Sequence, residues 1–299
     1  MLKNLSIIIC ICFILCACNS TKKAIKTLPS EYEMSIQNWQ QQRVNSLTSP
    51  NGWLTLVGLY WLKEGINTMG SAATNSIILP NNAPKHLGSI ELLTDSLYFR
   101  NLSRATQVNE AKFKEGQIFS DGDGEISTIN YKSLFAYVIK RGPKYGLRLR
   151  DTSVAERYSL KKIPSFPINE SWKKKARYIK PPKGTTIPIT NAVGVTEENP
   201  VLGYLEFDHN NKTHRLTAIY GGPLQYFLII ADKTTSDQTY GGGRFIYVNK
   251  PDAEGYITID FNKAYNPPCV FTDFATCPLP PKENILPFRI EAGEKNMEH

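Results

Sequence analysis

The sequence predicts a mainly β protein: an N-terminal helix, a β-sandwich, then a second antiparallel β domain closed by a proline-rich C-terminal coil. Three observations predict it. Helical spacing of apolar residues occurs in one long segment after the leader, residues 31–49. Beyond it come short runs of β-formers, separated by turn residues such as Pro80-Asn81-Asn82 and Asp121-Gly122-Asp123-Gly124. From Pro267 to Pro287 prolines are too frequent for either regular structure, so that stretch is expected to pack as an ordered coil against a sheet.

The chain begins with Lys3, an apolar run ending at Leu15, and Leu15-Cys16-Ala17-Cys18. A cationic start, a short apolar core and small residues before a cysteine make an export signal. The ending resembles a bacterial lipobox, which implies a signal peptide of residues 1–17 and a lipid on Cys18. The run is too short to cross about 30 Å of hydrocarbon. Asn19 follows the anchor instead of the aspartate that retains lipoproteins in an inner membrane, so the expected location is the outer membrane, facing the periplasm. Residues 18–30 are polar and lysine-rich and read as a tether; the twelve residues after Cys18, fully extended, reach roughly 40 Å. Ser30 with Glu33 forms a capping box for the helix, and Tyr32, Ile36, Trp39, Val44 and Leu47 supply its apolar stripe. Ser49-Pro50-Asn51-Gly52 ends it in a turn.

Composition supports folded cores: 41% hydrophobic and 11% aromatic residues. The net charge of +8 suits either an anionic lipid or polymer nearby or plain solubility. Export argues against nucleic acid as a partner. Four of the six cysteines fall in the leader or at the lipidation position, leaving Cys269 and Cys277 for a disulfide in an oxidising compartment. Zinc spacings are absent, so no metal or other cofactor is expected.

Strands are expected in a sandwich over 52–160, at 54–59, 76–79, 89–93, 97–100, 125–129, 136–140 and 147–149. A second domain over 165–295 is expected to carry strands at 176–179, 186–190, 201–207, 214–220, 225–231, 244–248 and 256–261. Ile163-Pro164-Ser165-Phe166-Pro167 is the expected joint.

In the first domain, Gly70-Ser71, Ala83-Pro84-Lys85-His86, Asn109-Glu110 and the glycine-rich turns around them resemble a forkhead-associated (FHA) sandwich. That family's phosphothreonine site implies an arginine where Ser71 stands, a serine at Ala83 and a glycine at Glu110. A dianionic phosphate needs a charge-assisted fork and hydroxyl donors. The resemblance therefore implies an FHA-like scaffold without phosphopeptide binding, with His86 as a structural residue.

The loop from Asp232 to Arg244 joins two apolar strands and contains Thr234, Tyr240 and Gly241-Gly242-Gly243. Three glycines suggest a phosphate cradle, but a strand follows instead of the helix such a cradle needs, so a tight turn or bulge is expected. Asp232 and Arg244 are placed to pair across it as a clasp. Near the end, Asp260-Phe261-Asn262-Lys263-Ala264-Tyr265-Asn266-Pro267-Pro268-Cys269 leads through Cys277 to Glu283-Asn284 and Arg289-Ile290-Glu291. With Gly52-Trp53-Leu54 and Glu64-Gly65, this block resembles the bacterial and archaeal family "domain of unknown function 1684", which imports no reaction or substrate.

Two readings of that block stay open. Asp260 with Glu283 or Glu291 could act as paired carboxylates of a hydrolase on an envelope polymer. Alternatively the polar side chains hold an otherwise unpaired coil by hydrogen bonds. A cysteine nucleophile lacks support, because nothing ties His86, His209 or His214 to Cys269 or Cys277. The favoured expectation is a lipid-anchored protein binding a ligand, envelope polymer or protein partner. Asp232, Thr234, Tyr240, Arg244, Asn262, Tyr265 and Asn266 are its candidate recognition residues. The basic run Lys173-Lys174-Lys175-Ala176-Arg177 reads either as a membrane-facing patch or as a lysine-protected strand edge.

Overall fold

In a computed structural model of the chain, residues 28–154 and 156–297 are described. The leader, Cys18 and the tether up to residue 27 lie outside the described residues. Helix α1 (Glu31–Thr48) starts where its cap demands: the Glu33 amide donates to Ser30 Oγ and the Ser30 amide to the Glu33 carboxylate. Ile36, Val44 and Leu47 are its buried residues, and each full burial stabilises by about 1.5–3 kcal/mol. Gly52 ends the following turn because a side chain there would run into the Leu47 carbonyl.

Residues 56–151 build two facing sheets. One has strands in the order β1 (Leu56–Trp61), β11 (Lys144–Asp151), β10 (Leu134–Arg141), β9 (Thr128–Tyr131), β6 (Gln107–Val108) and β7 (Ala111–Lys112). The other runs β3 (Ile77–Ile78), β2 (Gly65–Gly70), β4 (Gly88–Leu93), β5 (Ser96–Asn101) and β8 (Glu115–Ile118). Met69, Ile90, Leu97, Phe99, Val138 and Leu147 fill the space between them. The strands at 65–70, 107–108, 111–112 and 115–118 have no counterpart in the sequence reading; polar and glycine residues hide their alternation.

The second domain contains β12 (Lys173–Ile179), a hairpin of β13 (Thr186–Thr190) and β14 (Thr196–Pro200), then β15 (Gly203–His209), β16 (Lys212–Tyr220), β17 (Gln225–Ile230), β18 (Arg244–Asn249) and β19 (Tyr256–Asp260). Its six-stranded sheet runs β18-β17-β16-β15-β12-β19. The terminal strands β18 and β19 also lie against one another, so the sheet curls. The lysine-bearing strand β12 stands between β15 and β19 in the sheet order. It pairs with β15 through Arg177, Tyr178 and Ile179, and with β19 through residues 173–177. The two pairings overlap only at Arg177, so residues 173–176 are laddered on the β19 side; Lys173 and Lys175 are exposed, and Lys174 is half-buried on the face of Ala176.

The proline-rich coil completes this domain. Leu286, Ile290 and Ala292 enter the same core as Leu205, Leu216, Leu228 and Ile259. The Leu286 amide donates to the Ala231 carbonyl, and the Lys233 amide to the Phe288 carbonyl. Asn284 bridges the amide and carbonyl of Thr217. Cys269 and Cys277 form a disulfide, with Cα atoms 6.2 Å apart. The joint at 163–167 is tied to the chain's end: the Phe166 amide donates to the Gly293 carbonyl and the Lys295 amide to the Pro164 carbonyl.

Strand β11 is buried on both faces from Tyr145 to Asp151. Tyr145, Leu147 and Leu149 face the sandwich core. On the alternate face Arg148 and Arg150 are covered, not solvated; Trp53 and Tyr137 lie over both.

Candidate functional site

The clasp between Asp232 and Arg244 forms as expected at 2.7 Å, with both side chains at 0–1% exposure. Asp232 also accepts from the amides of Thr234 and Ile290, and Arg244 donates to the carbonyls of Ala292 and Ile290. Thr234 is fully buried beside Thr239. Burial lowers the pKa of Arg244, and the Asp232 carboxylate opposes that shift. Gly243 has φ +80°, and a side chain there would strike the Ile230 carbonyl and Pro280, so the glycine run serves a tight return into β18.

The other candidate recognition residues divide. Asn262 donates to the Tyr32 hydroxyl and the Asn169 carbonyl and accepts from the Asn169 amide. Asn266 is fully buried, and its amide donates to Glu294. Asp232, Thr234, Arg244, Asn262 and Asn266 thus turn inward and present no recognition surface. Tyr240 is half-buried beside Gly242. Tyr265 alone among the seven lines a cavity. The three carboxylates do not converge: Asp260 lines the cavity beside Tyr32, Glu291 stands in a separate surface pocket paired with Arg289, and Glu283 is exposed on a turn. At the FHA-like positions, Ser71 donates to the Ala83 carbonyl, His86 meets Asn75 at 3.3 Å, and Asn109 accepts from Thr128. Among the described residues no group of three His, Cys, Asp or Glu side chains could hold a metal ion, and no helix is long and apolar enough to cross a membrane.

A different cavity, of about 260 Å³, opens where helix, sandwich and second domain meet. Arg43 comes from α1, Arg141 and Arg148 from the sandwich, Phe227, Phe245 and Tyr247 from the second sheet, and Thr276 from the disulfide loop. The lining holds three arginines and no carboxylate. Two of these cations have partners: Arg43 pairs with the buried Glu294 at 3.2 Å, and Arg141 with Asp121 at 2.8 Å. Arg148, only 3% exposed, has no carboxylate partner among the described residues. Its Nε is buried without any hydrogen-bond acceptor. Its Nη2 reaches Thr276 Oγ1 at 3.4 Å, the same oxygen to which Arg141 Nε donates at 3.1 Å. Two guanidiniums therefore converge on one neutral hydroxyl. Buried charge without a partner is costly, and a bound anion would remove that cost here.

Aromatic rings form the opposite wall. Tyr247 and Tyr265 stack at 6.2 Å with 13° between planes, and Arg43 lies 4.4 Å from the Tyr265 centroid. Burial, then the neighbouring Tyr247, pushes the Tyr265 hydroxyl well above the usual phenol range, so it stays neutral. Burial likewise raises the Glu294 carboxyl, against the pull of Arg43.

The sequence reading did not reach Arg141, Arg148 or Thr276. The available signal was Leu147-Arg148-Leu149-Arg150, a strand that puts two arginines on one face. Nothing local says that the face is covered.

Residues 158–295 match the model of a family described as "Protein of unknown function (DUF1684)". The match covers the second β domain and excludes Gly52-Trp53-Leu54 and Glu64-Gly65. An uncharacterized protein of Haloarcula marismortui, solved by NMR, is 28% identical; the alignment covers 48% of this chain and 81% of that one, with a TM-score of 0.40. The FhaA FHA domain, solved with the intracellular domain of Rv3910, is 20% identical over 30% of this chain and 96% of its own, with a TM-score of 0.21. An FHA domain from a study of phosphothreonine-dependent interactions is 21% identical over 32% of this chain and 96% of its own, with a TM-score of 0.22. No curated protein matches the chain.

Proposed function

We propose that the protein is a non-catalytic binding protein of the cell envelope, held to the membrane by a lipid on Cys18. Its joint cavity takes the anionic group of a small ligand or of one unit of an envelope polymer. The observation that supports binding is Arg148: a buried guanidinium, without a carboxylate partner, lining an open cavity beside a second arginine. Carboxylates and phosphates match that fork by charge-assisted, bidentate hydrogen bonds. The aromatic wall across from it suits a flat or apolar body attached to the anion. Hydrolysis by Asp260 with Glu283 or Glu291 is the weaker reading, because those carboxylates face different surfaces.

The test titrates the full chain, in mild detergent, with benzoate and phenyl phosphate, using benzamide as the neutral control and Trp53 fluorescence as readout. The anions are expected to bind and benzamide not; Arg148→Met is expected to abolish the difference. Equal response to all three compounds would exclude the anion site. For the anchor, Cys18→Ala is expected to move the protein from the membrane to the soluble fraction, and unchanged fractionation would refute it.

A further inference from the structure

A second cavity, of about 330 Å³, lies against the first, and the two share Tyr247 and Tyr265 in their walls. Its character differs. Trp39 of α1, tilted 58° to Tyr265 at 6.4 Å, and Tyr32 bring aromatic faces to it. Around them stand polar groups with unused capacity. Asp260 Oδ1 accepts from Tyr32 and Asn262, while Oδ2 has no partner among the described residues. The Gln225 side-chain amide donates to Asn249 Oδ1, leaving Gln225 Oε1 and Asn249 Nδ2 without partners among the described residues. Thr258 and Lys173 complete the polar set. This contrasts with Asp232 and Thr234, whose side-chain oxygens are engaged within the protein.

Aromatic faces carry negative charge density and attract the polarised C–H faces of sugar rings. A carboxylate that accepts, and side-chain amides that both donate and accept, suit hydroxyl groups, which also do both. Flat apolar ligands would leave those polar atoms desolvated and unpaired, at about 1–3 kcal/mol each. The adjoining arginine cavity supplies what a neutral sugar cannot use.

We infer that the two cavities form one bipartite site for an acidic oligosaccharide, the Arg43–Arg141–Arg148 side holding a carboxylate-bearing sugar and the Trp39–Asp260–Asn249 side its neighbouring residue. The stacked tyrosines are the shared wall between the two subsites. This rests on the anion-binding reading above and names its ligand class.

The experiment measures affinities of the full chain in mild detergent for trigalacturonate, monomeric galacturonate and maltotriose, by calorimetry at physiological salt. Trigalacturonate is expected to bind at least tenfold more tightly than the monomer, and maltotriose at least tenfold more weakly than trigalacturonate. Arg148→Met should weaken trimer and monomer alike by tenfold or more. Asn249→Ala, at an exposed position, and Trp39→Ala should weaken the trimer at least fivefold and leave the monomer unchanged. Equal affinities for trimer and monomer, or a trimer indifferent to Asn249→Ala, would overturn the bipartite site while leaving the anion cavity intact. Benzoate or phenyl phosphate binding through Arg148 without any galacturonate binding would overturn the sugar assignment alone. Anion binding insensitive to Arg148→Met would remove the anion reading itself.

Discussion

Replacing Arg148 with methionine separates a binding role from a structural one, because the two predict stability changes of opposite sign. The wild-type side chain keeps Nε buried without an acceptor, an omission costing about 1–3 kcal/mol. Its hydrogen bond to Thr276 is long at 3.4 Å and shares its acceptor with Arg141. Against this stand ring contacts at 5.5 Å to Trp53 and 5.9 Å to Tyr137, near the ~6 Å limit of such attraction and worth about 0.5–1 kcal/mol each, which the cost of burying an unpaired charge outweighs. Methionine has similar length, adapts to irregular space and needs no acceptor. The ligand-free variant should therefore be more stable by about 1 kcal/mol, raising Tm by about 2–3 °C for a chain of this size. Anion affinity should fall about 10- to 100-fold, the equivalent of one or two charged hydrogen bonds. Scanning calorimetry and ligand titration on the same preparation read both effects. A fall in Tm of 5 °C or more would identify Arg148 as a strut between the domains and refute the argument.

Three further outcomes follow from the same geometry. Asp232→Ala strands the fully buried Arg244 and should cost about 3–5 kcal/mol in urea unfolding, whereas Asp232→Leu with Arg244→Met should recover much of it; equal losses would mean that the pair acts only as packing volume. Reducing Cys269–Cys277 opens a loop with sequence separation 8 and should remove about 2–3 kcal/mol. Because Cys277 lines the anion cavity, reductant should also weaken anion binding, and an affinity blind to reductant would contradict that placement. Burial raises the Glu294 carboxyl above its ordinary value of 4.5, so the folded chain holds this proton longer than the unfolded chain. Stability from this group is present below pH 4.5 and lost as pH rises through the folded-state value. Urea midpoints should thus show wild type losing ground to Glu294→Gln between pH 4.5 and pH 8; parallel pH profiles would exclude the effect.

Local chemistry was legible where it acts over a few residues. The Ser30–Glu33 box, the alternating strands of the sandwich core and the strand after Gly243 follow from neighbouring side chains. Short strands such as 107–108 and 111–112 were not legible, because two residues cannot display a period. The pairing of the basic strand β12 was not legible, because it depends on β15 and β19, which lie far along the chain.

The site shows the same division more sharply. Sequence alone marked the helix from Glu31, the mainly β architecture and the polar block from Asp260 onward, since each depends on composition or spacing within one segment. Whether a polar side chain faces a cavity or the main chain depends on what packs over it, and that is decided between segments. Tertiary structure turned Asp232, Thr234, Arg244, Asn262 and Asn266 inward, where they satisfy a coil that no ladder pairs. It also brought Arg43, Arg141, Arg148 and Thr276 together from positions more than 200 residues apart. Arg148 owes its character to Trp53 and the disulfide loop covering a face that its own strand would leave to water.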